Sequence, residues 1–282
     1  MNEMEKKMTL DIQKYKKFAF MQLQGRWKPA VLGTLISVLL LFVFSYFQTK
    51  TPGINYAELM TVPSEQLFSM LQESASGSSL YFILDIIETI VDFIVEMVLV
   101  SFFLIFSRSP DPVSLKNYFD GYNKWARAIL CGLWKLLWTF LWGLLAIPLI
   151  VIFVIIISCF SNFDGPDSVN YTICMILLLI GFIPMFIKTI EYSFAFFFAA
   201  EFPEVGIRKS LRLSITIAKG HRWEIFVLNI SFIGWFILSI LTFAIGFLWC
   251  LPYYYMTLTN AYHALLQDAL ETGKIKPEEL NS

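Results

Sequence analysis

The sequence predicts an all-α, polytopic membrane protein of about six transmembrane helices, with both termini in the cytoplasm. Three observations predict it. Of 282 residues, 57% are hydrophobic and only 15% charged, with a mean hydropathy of +0.65. A soluble domain carries about 25% charged residues, so this chain lacks the polar surface that coats a water-soluble globule. The apolar residues also fall into runs long enough to cross a bilayer, which takes roughly 20 residues at ~1.5 Å each. Finally, the basic residues gather in alternate connections. Together these exclude a soluble enzyme, a disordered chain and a secreted disulfide scaffold. The net charge of −1 offers no basic field for nucleic acid.

Six segments qualify as spans: Ala30–Phe47, Leu80–Phe106, Ile129–Phe160, Tyr171–Ala200, Trp223–Leu241 and Phe243–Tyr262. The last two come from one apolar run that would be about 60 Å long as a single helix, so a turn is expected near Thr242–Gly246. Gly246 is the residue expected to relax it. The first run follows a long polar leader and lacks a small-residue cleavage pattern, so it is expected to stay as a span.

Cations set the orientation. All 21 but Lys50, Lys135 and Lys188 lie in residues 1–29, in the second and fourth connections, or in the tail. Those segments are therefore expected on the cytoplasmic side. The expected organisation is a basic amphipathic arm (1–29), a six-helix bundle (30–270) and a cytoplasmic tail (271–282). The outer connection, 48–79, should hold a short surface helix starting near Pro63 and Ser64, followed by a flexible joint at Ser74–Ser79.

Two stretches mix apolar residues with cations: Leu10–Leu23 and a segment at about 204–220. Both read as interfacial helices, apolar face in the acyl layer and cations toward anionic lipid headgroups. Each precedes a Gly-basic-Trp entrance to a span, Gly25-Arg26-Trp27 and Gly220-His221-Arg222-Trp223, and Gly121 to Trp125 repeats the pattern. Three copies of one unit are one explanation. The general gathering of cations and Trp at a cytoplasmic boundary is the other.

The second span carries Asp85, Glu88, Asp92 and Glu96 at spacings of 3, 4 and 4. At ~100° per residue they share an arc of about 80°. An ionised carboxylate at mid-bilayer costs on the order of 3 kcal/mol or more, so the stripe should face protein, water or a counter-charge. Counting turns from Arg108 and Lys124 places Glu96 and Lys135 at one level, and an intramembrane pair between them is expected. Lys188 and Glu191, three apart, can pair within the fourth span. The stripe is read first as structural or interfacial, and second as an ion or proton path.

Other chemistry is thin. No zinc helix, phosphate-cradling Gly-rich loop or nucleophile elbow occurs, so neither enzymatic activity nor a metal or other cofactor is expected. His221, among cations, is expected to touch lipid phosphate. Cys131 and Cys250 read as small apolar residues, whereas Cys159 and Cys174 bracket the second outer turn and could bridge in an oxidising exterior. Trp134, Trp138 and Trp142 share a helical face and read as packing or lipid contact.

The C-terminal third carries Ala218-Lys219-Gly220-His221, Ser231-Phe232-Ile233-Gly234-Trp235, Thr242, Ile245-Gly246, Trp249 and Pro252-Tyr253 in order. It resembles a family of bacterial multi-pass membrane proteins whose domain has no assigned function. Gln24 to Trp27, Ile147-Pro148 and Tyr192-Ser193 are similar too. Leu149 stands where a Gly commonly follows the Pro, and Glu201-Phe202-Pro203 only loosely matches a polar-Pro turn. The resemblance implies architecture and a place in the bacterial cytoplasmic membrane, with no catalytic residue to carry over. Physically the signature reads as packing. Gly234 should let a helix approach beside Trp235, Ser231 should bond its own backbone, and Pro252 should kink the last span. Tyr253 to Tyr255 should then satisfy the freed polar groups. The expected function is a structural, interaction or accessory role with unidentified membrane-protein partners. The alternative is a small transporter using the acidic stripe.

Overall fold

The computed structural model describes residues 11–50, 64–109, 113–148, 151–152, 155 and 168–281. The described residues are helical and include no strand. In chain order the helices are α1 (Ile12–Leu23), α2 (Trp27–Lys50), α3 (Ser64–Arg108), α4 (Leu115–Asp120) and α5 (Trp125–Gly143). They continue with α6 (Ser168–Glu191), α7 (Ala195–Glu201), α8 (Ile207–Ala218), α9 (Arg222–Ile230), α10 (Ile233–Leu241) and α11 (Phe247–Glu271). Among the described residues, four stretches are long and apolar enough to cross a membrane: Trp27–Lys50, Leu80–Arg108, Leu179–Glu201 and Arg222–Leu241. The third expected span continues past α5 into residues that are in part outside those described.

α3 is the hub. It packs against α2, α4, α5, α7 and α11, because its last three turns are apolar on every side. Val95, Val98, Leu99, Phe102, Phe103 and Phe106 are all buried there. A helix that is hydrophobic all round can be satisfied only by neighbours all round. Phe102 meets Tyr118 edge-on, and the Tyr118 hydroxyl lies 2.7 Å from Ser37 Oγ, which ties α4 to α2. At 45 residues α3 is about 68 Å long, more than twice a bilayer core. The expected break at Ser74–Ser79 does not occur, and the helix is continuous there. Ser and Gly weaken a helix by at most about 1 kcal/mol each. Extending an existing helix through them costs far less than starting a new one.

Where one continuous helix was expected, two apolar segments are broken. The fourth stops at Glu191 and resumes at Ala195. Ser214 of α8 fills the gap, donating to the Glu191 carbonyl at 2.6 Å and accepting from Phe194 N–H at 3.1 Å. A side chain inserted into the backbone ladder is a recognised cause of such breaks. The fifth is interrupted at Ser231 and Phe232, between α9 and α10. There Lys16 of α1 donates to the Ser231 carbonyl at 3.0 Å and lies over the Phe232 ring.

The turn between α10 and α11 lies at Thr242–Gly246, as expected, but Gly246 is not its hinge. The left-handed positions are Phe243 and Ala244, at φ 53° and 67°. Gly246 is helical, and a Cβ there would lie 2.7 Å from the Ser239 Cα. It is needed for close approach of the two legs.

The two amphipathic helices bury apolar residues against the bundle to different extents. α8 buries Leu211, Leu213 and Ile217, packing on α5, α6, α7 and α11. α1 packs on α11 with Ala19 and Leu23 buried, leaving Phe18 and Met21 half exposed. Each also bonds at a helix break, α8 through Ser214 and α1 through Lys16. Each of the three Gly-basic-Trp entrances follows a short helix: α1, α4 or α8. Gly25 and Gly220 both take left-handed φ, 74° and 101°. Gly121 instead sits in a right-handed turn against the Val98 backbone, so the second unit departs from the other two.

Candidate functional site

The acidic stripe divides along α3. Asp85 is exposed and accepts from Gln48 Nε2 of α2 at 3.2 Å. Glu88 is half-buried, and Asp92 is exposed on the bundle wall. Glu96 faces inward, with Lys135 Nζ of α5 3.3 Å from its Oε1; the two side chains are 33% and 25% exposed. Lys135 also lies over the Phe196 ring.

This pair forms part of the wall of a cavity of about 540 Å³ between α3, α5, α6, α9 and α11. Most of the remaining lining is apolar, including Phe186, Phe197 and Phe226. Four of its uncharged polar side chains already have partners. Tyr254 OH donates to Asn229 Oδ1 at 2.7 Å, and Asn229 Nδ2 donates to the Ile225 carbonyl. Thr189 and Ser193 turn their hydroxyls back to helix carbonyls. A second, almost wholly apolar cavity of about 590 Å³ lies between α5 and α6, and Lys135 and Thr189 line both. Both volumes fall in the range of small-molecule sites.

Lys188 and Glu191 pair at 2.7 Å, but the fuller arrangement was not legible in their spacing. The Glu191 side chain is fully buried and also pairs with Arg222 at the start of α9. Lys188 lies over Trp142, whose Nε1 donates to the Tyr192 hydroxyl. Trp134 takes Arg208 on its face and Trp138 edge-on, so the Trp row serves packing.

A second buried carboxylate, Glu201, pairs with Arg108. Beside it, Arg127 donates to the carbonyls of Ala199, Phe202, Pro203 and Val205, and Lys124 donates to that of Ala200 at 2.7 Å. Helix ends leave carbonyls without intrahelical donors, and cations there also meet the negative end of the helix dipole. Burial pulls the Lys124 ammonium below the ordinary lysine range, Arg127 adding to the shift and Glu201 opposing it.

His221 does not face lipid phosphate. It is 3% exposed, with Glu224 Oε2 2.6 Å from Nδ1 and Asp268 Oδ2 3.8 Å from Nε2. The turn at Gly220 carries the ring inward, where two carboxylates face it.

The C-terminal signature packs differently from expectation. Ser231 does bond its own helix, through Oγ to the Leu228 carbonyl at 2.5 Å. Gly234, however, has nothing within 4 Å of where a Cβ would stand. The close approach is made instead at Gly132, where a Cβ would overlap the Phe93 ring. Trp235 is half exposed, with its ring edge-on to Tyr253. Pro252 is buried inside α11, and the Tyr254 hydroxyl goes to Asn229, not to a freed backbone group. Cys131 and Cys250 are buried free thiols. Cys159 and the side chain of Cys174 lie outside the described residues, and so does the bridge expected between them. Among the described residues, no group of three His, Cys, Asp or Glu converges as a metal site.

The residues missed in sequence were Arg222, Ser214, Arg127 and Asn229. Asn229 carried the clearest signal, as a lone amide in an apolar run that must find a partner in lipid.

Long apolar helices, charges held inside the bundle and no strand among the described residues define a membrane-embedded, all-helical protein. The chain belongs to the family described as Protein of unknown function (DUF975), whose model matches residues 8–269. No curated protein and no solved structure matches it.

Proposed function

We propose that the protein is a non-enzymatic, multi-pass protein of the bacterial cytoplasmic membrane, acting as a structural or interaction component. It crosses the bilayer six times, keeps both termini in the cytoplasm, and touches anionic lipid headgroups there. The observation that carries this reading is the use made of the buried carboxylates. Glu191 and Glu201 each face a cation from another helix, Arg222 and Arg108, beside helix breaks and ends. Groups used in this way join segments; they do not activate a nucleophile. The distribution of cations supports the orientation. Reporter fusions at each terminus test it, with both expected to report from the cytoplasm. Termini on opposite faces would overturn the topology.

A second reading, a binding site or path through the bundle, is favoured by the cavity at Glu96 and Lys135. A charged pair half open to a ligand-sized space is more than helix packing requires. Neutralising Asp92 and Glu96 together should abolish any transport while leaving insertion intact. On the scaffold reading the same change should release partners or lower assembly.

A further inference from the structure

The cavity between α3, α5, α6, α9 and α11 offers a ligand an unusual choice of contacts. The side chains of Asn229, Tyr254, Thr189 and Ser193 are hydrogen-bonded to the protein, as described above. The charged groups left with capacity are Glu96 and Lys135. Their contact uses one of the three N–H donors of the Lys135 ammonium and one of the two carboxylate oxygens of Glu96. The rest of the wall is aromatic and aliphatic. Phe186, Ile230 and Ile233 line the cavity and are about half exposed, so it is open to the surroundings where α6 meets α9 and α10.

We propose that this cavity binds a small zwitterion with an apolar body, of the chemical class of the aromatic and large aliphatic α-amino acids. The inference rests on the second reading above, that the cavity is a binding site. A ligand ammonium sits against Glu96, the ligand carboxylate against Lys135, and the side chain among Phe186, Phe197 and Phe226. Charge balance selects this class. A ligand with one charge would engage one member of the pair and draw it away from the other, leaving a charge uncompensated where dielectric is low. A zwitterion replaces one neutral pair by two. Distance selects it further. Nζ and Oε1 lie 3.3 Å apart, so a ligand meeting both must carry its own charges within a few ångströms, as an α-amino acid does.

The test uses the full chain in lipid nanodiscs, with radiolabelled L-phenylalanine as probe and three competitors of similar shape. These are 2-phenylethylamine (cation only), 3-phenylpropionate (anion only) and 3-phenylpropanol (uncharged). Saturable binding of L-phenylalanine is expected, with each competitor at least tenfold weaker than unlabelled L-phenylalanine. The double exchange Glu96→Lys with Lys135→Glu should retain binding, whereas Glu96→Gln with Lys135→Met should abolish the preference over the alcohol. If all four compounds bind equally, or the alcohol binds best, the zwitterion assignment is overturned while the cavity remains a binding site. If none binds saturably to the unmodified protein, both the assignment and the binding-site reading fall.

Discussion

Glu191 is sealed from solvent where α6 breaks, and it holds Lys188 and Arg222 together. Glu96, along α3, pairs with Lys135 across the edge of a cavity, with a quarter to a third of each side chain exposed. Both are carboxylates in apolar helices paired with cations, yet their surroundings assign them different tasks. A sealed carboxylate contacted by two cations is closed to a ligand, and its loss removes the shared counter-charge of both partners. A half-open pair costs less to disturb and can exchange partners. Exposure and the number of counter-charges, more than the presence of charge, separate the part that holds the bundle together from the part that can receive a ligand.

The strongest way to break this comparison is Glu191→Gln. It keeps the shape but takes the counter-charge from Lys188 and Arg222, and should cost about 2–3 kcal/mol, less than a fully buried pair because Arg222 and Lys188 are partly open to solvent. Thermal unfolding in detergent, or the yield of folded protein, would read it. A loss below about 1 kcal/mol would mean that Glu191 is not the sealed joint described. Arg127→Lys comes next. It keeps the charge but loses the planar fork that reaches four carbonyls, and about 2–3 kcal/mol should go with it. Proteolytic nicking at residues 202–206 should rise in step.

Among the glycines, Gly132→Ala should destabilise by about 1–3 kcal/mol by driving a methyl into Phe93. Gly234→Ala should be neutral or stabilise by up to about 1 kcal/mol, because it adds a good helix former in open space. Opposite signs in one melting experiment would sharpen the contrast between signature and true contact. Smallest of all, replacing Glu96 and Lys135 together by Gln and Met should shift stability by under about 1 kcal/mol, because no charge is left unpaired. A large loss would place that pair with Glu191 on the structural side.

Much of this was legible in sequence because it depends on counting along one helix. The apolar runs at Trp27–Lys50 and Leu80–Arg108, the turn at Thr242–Gly246 and the level of Glu96 with Lys135 follow from rise per residue. What was not legible depends on helices distant in sequence. Ser214 fills a break 20 residues away, and Lys16 meets a carbonyl 215 residues on. Gly234 looked like a packing residue because small residues favour helix approach in lipid, but no neighbour stands beside it. His221 looked exposed because its sequence neighbours are cationic, yet Asp268, from the far end of α11, faces it.

By itself the sequence determined that this chain must be helical and must sit in lipid. Too few charges for a wet surface point to lipid, and continuous apolar runs of about 20 residues fit helices, which bond every backbone group within the segment. Only the tertiary structure decided which charges became joints and which stayed open, where the helices broke, and which glycine was needed. Those outcomes depend on what lies across the gap between helices, and in a bundle that neighbour is set by packing, not by position along the chain.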